Sequence, residues 1–188
     1  MEPFITTFTG RKINPLNLQP EDVDIYDIAH HLALLNRFVG ATKRPVSIAQ
    51  HSIYVSRLLY HTPWEREGLF HDAPEAYLGD VSKWVKQAPS MLEYRKAEHR
   101  AWISICKALD LNPKGTPELI KSIKEADALM VRFETLRMVH KNHHLFELET
   151  YPRPTTREIR LIGPWAVWSW QSSETGFLDH ARLLGYKV

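Results

Sequence analysis

A chain of 188 residues with 44% hydrophobic and 24% charged side chains, 8 Gly and 12 Pro suits one folded domain with a sizeable core, and excludes disorder and collagen-like repeats. The 24 Lys+Arg and 22 Asp+Glu nearly cancel, with no block of five like charges, which argues against a nucleic-acid polymer as partner. The single Cys106 excludes an internal disulfide, no apolar run approaches the roughly 20 residues that cross a bilayer, and the N-terminus lacks a signal-peptide pattern, so a cytoplasmic protein without a membrane partner is expected.

In chain order, residues 4–10 alternate and read as a short strand or edge ribbon, and residues 10–20 read as loop because Asn, Pro and Gly cluster there. From Val23 the period becomes helical, with Ile25, Ile28, Leu32 and Leu35 predicting a helix to about Phe38. Ser47 followed by Gln50 three residues later is a capping box ahead of a stripe of Ile48, Val55, Leu58 and Leu59. Thr62, Pro63 and Glu65 repeat that device as N-cap, N1 and N3 of a helix to about His71, and a second tight helical segment follows within residues 71–80.

Met91, Leu92, Trp102, Ile105, Cys106 and Leu109 mark a helix over 89–109, and residues 112–115 form a turn. Thr116 and Pro117 open the longest helix, to about Val139. Residues 140–156 are polar and proline-broken. Trp165, Trp168 and Trp170 are expected to pack the tail onto the domain, and a last helix over about 173–184 ends at Gly185. The expectation is an all-α single domain over 1–188 with six to eight helices; GxGxxG and GxxxxGK[ST] are both missing from the sequence, so Rossmann and P-loop readings lack an anchor.

Some polar residues stand where helical spacing calls for core. His51 lies three residues after Ile48 and four before Val55, on an aliphatic face. Asp127 lies seven after Ile120, four after Ile123 and three before Met130, where an unpaired carboxylate would cost several kcal/mol and so must be paired, protonated or bound to a cation. Glu134, one heptad on, is accounted for by pairing with Arg37, Arg132 or Arg137. His71 and Asp72 sit at a helix junction, with Glu75 one turn on; Asp72 as an N-cap with Glu75 at N3 is the plain structural alternative. Two imidazoles and two carboxylates suit one divalent ion of the Mn, Fe, Co, Ni or Zn type with positions left open for water.

This H…HD…D pattern of His51, His71-Asp72 and Asp127 resembles the HD-domain metal-dependent phosphohydrolases. The segments TFTGRKINPL, DIAHHLALLNRFVG, VSIAQHS and HDAPEAYLGDVSKWVK are similar to the compact bacterial and phage branch that includes 5'-deoxynucleotidases, over roughly residues 4–135. The resemblance implies a helical fold supplying these four ligands to one divalent metal, Mg included, and homo-oligomers. It further implies that Glu75 serves beside the attacking water, Arg37 lies near the phosphate, Phe38 lines the nucleotide pocket, and Asp80 and Lys86 approach the substrate.

The function so implied is hydrolysis of a deoxynucleotide phosphate ester, a dNMP giving a deoxynucleoside and phosphate. The alternatives are a dNTP triphosphohydrolase, which needs further basic groups such as Lys83, Lys86 or Lys43 pointing inward, and a non-catalytic nucleotide-binding module. Ser82, Lys83 and Trp84 replace prolines common in relatives, which bears on base selectivity. His140, His143 and His144 read as surface, and Asp27 with His31 as a pair on one helix face.

Overall fold

The computed structural model describes residues 3–139 and 148–188. A two-stranded antiparallel hairpin, β1 (Ile5–Thr6) with β2 (Lys12–Ile13), places Ile5 opposite Ile13. Helices follow as α1 (Ile25–Leu34), α2 (Ile48–Leu58), α3 (Glu65–Phe70), α4 (Glu75–Leu78), α5 (Lys83–Lys86), α6 (Leu92–Leu109), α7 (Pro117–Met138), α8 (Thr156–Ile162) and α9 (Trp170–Leu183). Among the described residues seven of these run six residues or more and α4 and α5 are single turns, so the all-α expectation holds.

Helix α2 is the axis of the fold. It packs on α1, α3, α7, α8 and α9, and every residue from Ile48 to Ser56 is buried. One side joins Ile48, Ala49 and Ile53 to a core with Ile28, Leu32, Phe70, Ile105 and Phe177. Another joins Tyr54, Val55 and Leu59 to Leu129, Met130, Phe133 and Ile162. A helix buried all round must satisfy its own polar side chains internally. Gln50 does so by donating to the Ala166 carbonyl at 2.6 Å and accepting from the Trp168 N–H at 3.1 Å. Ser56 donates to the Glu65 carbonyl at 2.7 Å and meets His180 Nε2 at 2.9 Å. Gly68 lets α3 approach, since a Cβ there would lie 3.2 Å from the Ser56 Cα.

Several boundaries differ from the sequence expectation. The first helix ends at Leu34, not near Phe38, because Leu35 turns extended and Asn36 bridges to Ser47. Lys12 and Ile13 form a strand inside the expected loop. Thr62 is not the N-cap of α3, which begins only at Glu65; its hydroxyl accepts from the Trp64 N–H at 3.2 Å and donates to the Leu59 carbonyl in the turn before the helix. Gln50 spends its side chain on the tail instead of closing a capping box with Ser47. Helix α8 was not anticipated, although Thr155 and Glu158 form a complete capping box, and α9 starts at Trp170. Asp27 accepts from the Thr9 N–H and hydroxyl, while His31 links Phe8 to the Ala76 carbonyl, so the two do not pair. Two of the tail tryptophans pack inward as expected, Trp168 on Tyr54 and Trp165 on Phe133, whereas Trp170 at the start of α9 is exposed, edge-on to His30. His140, His143 and His144 lie outside the described residues.

Candidate metal centre

Four separate pieces of chain converge where α2 meets α7. The Ser47 hydroxyl caps α2 by accepting from the Gln50 N–H, and this first turn carries His51, whose side chain is fully buried. His71 closes the C-terminus of α3, and Asp72 follows in the turn to α4. Asp127 comes from the middle of α7. The fourth piece is an unusual turn at Arg37–Gly40, in which Phe38, Val39 and Gly40 have φ of 57°, 52° and 75°.

Left-handed backbone is costly for a β-branched residue such as Val39, on the order of 1 kcal/mol or more, and persists only where neighbours over-determine it. They do so here. The Arg37 N–H donates to the Val46 carbonyl at 2.8 Å, Thr42 bridges to Val139, and the Lys43 N–H donates to the Met138 carbonyl at 2.8 Å. The turn thus hangs between the start of α2 and the end of α7, with Arg37 aimed at the junction.

One donor atom each from His51, His71 and Asp127 lies within 4.8 Å of the others. Asp72 adds an oxygen 3.2 Å from His71 Nε2 and 3.9 Å from His51 Nε2. The imidazole chemistry is decisive. His71 Nδ1 is 2.8 Å from the Gly68 carbonyl, an obligate acceptor, so Nδ1 carries the proton. His51 Nδ1 is 3.1 Å from Glu134 Oε1, which assigns its proton in the same way. In both rings Nε2 faces the cluster, buried, with a carboxylate oxygen at 3.1 Å (Asp127, for His51) or 3.2 Å (Asp72, for His71) and no other hydrogen-bond partner. Anchored Nδ1 atoms and Nε2 atoms turned toward two carboxylates are the arrangement of imidazoles oriented for a metal, so the residues present fit a divalent ion.

Charge points the same way. Asp72, Asp127 and Glu134 surround the single guanidinium of Arg37 at 3.7, 3.9 and 2.8 Å, so carboxylates outnumber the arginine they face. Burial opposes ionisation of each carboxyl, yet neighbouring groups hold all three below the ordinary carboxylate range: chiefly His71 for Asp72, His51 for Asp127 and Arg37 for Glu134. Burial likewise opposes the charge on His71, but Asp72 and Asp127 push it up to about 9.

Of the residues singled out from sequence, His51, His71, Asp72, Asp127 and Arg37 stand together. Asp127 is less buried than a carboxylate on an apolar stripe should be: its side chain is 42% exposed, and Ile120 on the same stripe is also exposed. Phe38 lies beside Arg37, the guanidinium carbon 5.4 Å from its ring centre. Glu75 is buried, and burial followed by the Asp72 charge pushes it up to about 8. Asp80 is half-buried beyond the left-handed Gly79, and burial raises its pKa, opposed by Arg37. Lys83 is exposed on α5, whereas Lys86 reaches Glu75 at 3.0 Å and Glu98 at 2.5 Å.

Glu134 was anticipated only as a partner for an arginine. It accepts from Arg37 Nε through one oxygen and from His51 through the other, so a single buried carboxylate orients both the guanidinium and the imidazole. Its place one heptad after Asp127 was the available signal. The Gly68 carbonyl and Glu98 left none in the sequence.

No protein-family model matches the chain. Two proteins are similar over most of their lengths. An uncharacterized protein of Rhodobacter capsulatus is 35% identical over 135 residues, covering 67% of this chain and 68% of that protein. The uncharacterized protein YfdR of Escherichia coli K12 is 32% identical over 132 residues, covering 70% of each.

Proposed function

The chain belongs to the family of Escherichia coli YfdR and its Rhodobacter capsulatus counterpart, and for this member we propose metal-dependent hydrolysis of a deoxynucleoside monophosphate to the deoxynucleoside and phosphate. The observation that carries the reading is the pair of buried Nε2 atoms of His51 and His71, each turned by its anchored Nδ1 toward a carboxylate oxygen of Asp127 or Asp72. Those four residues would hold one divalent ion. When bound, it supplies Lewis acidity toward a water and a phosphoryl oxygen.

The other groups around the cluster have complementary tasks. Arg37 is fixed through Nε by Glu134, while its terminal nitrogens lie too far from Asp72 and Asp127 for hydrogen bonds and are available to a phosphate. Glu75 is buried one helical turn from His71 and exchanges a proton near neutral pH, which suits proton transfer to or from the reacting oxygens. Lys86 is engaged by two glutamates and Lys83 is exposed, so the basic groups that a triphosphate requires do not converge among the described residues; this favours the monophosphate.

The test is a screen of every dNMP and dNTP against Mn²⁺, Co²⁺, Fe²⁺, Ni²⁺, Zn²⁺ and Mg²⁺, with products resolved by chromatography and metal content by elemental analysis. Glu75→Ala is expected to keep the metal and lose turnover by about 10²- to 10⁴-fold, and Asp72→Ala to lose both. Normal turnover in Glu75→Ala removes that residue from the reaction. Triphosphate released from a dNTP replaces the monophosphatase reading, and no turnover with any metal leaves a binding module.

A further inference from the structure

Glu75 does not face the cluster alone. Its Oε1 accepts from Lys86 Nζ at 3.0 Å, and the same ammonium meets Glu98 Oε1 on α6 at 2.5 Å. None of the three side chains is more than 26% exposed, so the contacts differ from an exposed ion pair worth little. Lys86 itself stands on weak footing: α5 is one turn long and exposes Trp84 and Val85 on either side of its middle. A four-carbon stem on such a turn gives up much rotamer freedom when it is held in one place, so its fixed position needs a partner.

The pinning comes from one stretch of the 18-residue helix α6. Tyr94 donates to the Gly79 carbonyl at 2.8 Å, and its ring centre lies 5.9 Å from Lys86 Nζ. Arg95 donates to the Lys86 carbonyl and, at 3.0 Å, to the Ala88 carbonyl. Glu98, one turn after Tyr94, takes the ammonium. Backbone and side chain of the segment after α4 are therefore held from a single rigid face, and the only carboxylate of that face touching the ammonium is Glu98, among the described residues.

We propose that Glu98 is a positioning residue: from α6 it fixes the Lys86 ammonium against Glu75 and so keeps the Glu75 carboxyl in its working place beside the cluster. The inference rests on the reaction proposed above, in which Glu75 handles the proton. Glu98 touches no substrate in this scheme; it acts through Lys86.

Three variants and two readouts decide it. Glu98→Ala is expected to retain metal, to lower kcat on the preferred dNMP about 10-fold and to leave KM within about 2-fold, since only a step after binding is affected. Glu98→Gln keeps an acceptor oxygen for the ammonium and is expected to recover kcat to within about 3-fold of the parent. The second readout needs no turnover: the ¹⁵N-edited resonance of the Lys86 ammonium, identified by its loss in Lys86→Met, should be sharp in the parent and in Glu98→Gln and broadened away by solvent exchange in Glu98→Ala. Parent-like kinetics in Glu98→Ala, damage in KM alone, or a Glu98→Gln as impaired as the alanine variant overturns the proposal. So does an ammonium signal indifferent to Glu98. A parent protein inactive on every nucleotide sinks the reaction instead, and the ammonium resonance then still decides whether Glu98 is the clamp.

Discussion

Two histidines that reach the neighbourhood of α2 from opposite sides behave in opposite ways. At the seam with α9, His180 is half-buried against Ser56, and burial, helped by Arg57, pushes it down to about 4. At the junction with α7, His71 is at least as enclosed, yet Asp72 and Asp127 overcome burial and push it up to about 9. Burial alone makes an imidazole shed its proton. The difference teaches that the α7 side is not merely a polar corner of the core: it is a place where positive charge is stabilised in spite of desolvation. A protein can satisfy such a place with protons or with a cation, and the locked Nδ1 atoms of His51 and His71 favour the cation.

The strongest way to break the contrast is to remove the carboxylate that holds the α7 side together. Glu134→Ala strands Arg37 Nε and His51 Nδ1, and the buried guanidinium keeps its charge because neighbouring acids hold it above its ordinary range against the pull of burial. A loss of about 3–5 kcal/mol is expected, the usual cost of orphaning one member of a buried ion pair. Urea unfolding would measure it, and metal content should fall in the same variant because His51 loses its orienting partner. Glu134→Gln, with one acceptor oxygen left, should lose less; a Glu134→Ala protein as stable as the parent would show that Arg37 finds another anion.

The seam with α9 yields the next largest effect, and its sign follows from linkage. His180 takes up its proton near pH 6.5 when unfolded but only near pH 4 when folded. Folding therefore excludes a proton between those values. The associated stability is complete above about pH 6.5 and is lost as pH falls toward 4, a change of about 1–3 kcal/mol. Replacing His180 with Gln should remove this pH dependence, so that parent-minus-variant stability falls as pH drops from about 6.5 toward 4 in unfolding experiments on metal-free protein. A parent-minus-variant stability that does not depend on pH there would place His180 in water rather than in the seam.

How far the sequence reaches is visible in the same residues. His51 was legible because α2 is regular and its aliphatic neighbours define a face. The roles of Asp127 and Glu134 were not separable, since heptad spacing says that two residues share a face but not where the helix leaves the core. The first half of α7 protrudes, so Asp127 opens to solvent while Glu134 is sealed. The turn that aims Arg37 was illegible for another reason: Phe38 and Val39 adopt left-handed backbone against their own preference, under constraints from Val46 and Met138 that are distant in sequence or partner choice. Helix α8 is the reverse case, a complete Thr155–Glu158 signal passed over because it opens only seven residues of helix.

The smallest expected effect belongs to the exposed turn α5, and it sharpens the comparison by showing where stability is not invested. Trp84 is 76% exposed and Lys83 stands beside it, with Lys86 committed to Glu75 and Glu98. An exposed side chain away from caps and buried pairs changes stability by no more than about 0.5 kcal/mol when truncated, so Lys83→Ala and Trp84→Ala should unfold as the parent does. If this turn contacts nucleotide, both should raise KM by a few-fold and leave kcat alone, the signature of lost binding that is equal in ground and transition states. A change in kcat without a change in KM would mean that the turn governs the placement of Lys86, and through it Glu75, more than it governs substrate. Unchanged values of both would assign selection of the nucleotide to other residues, such as Phe38 and Asp80.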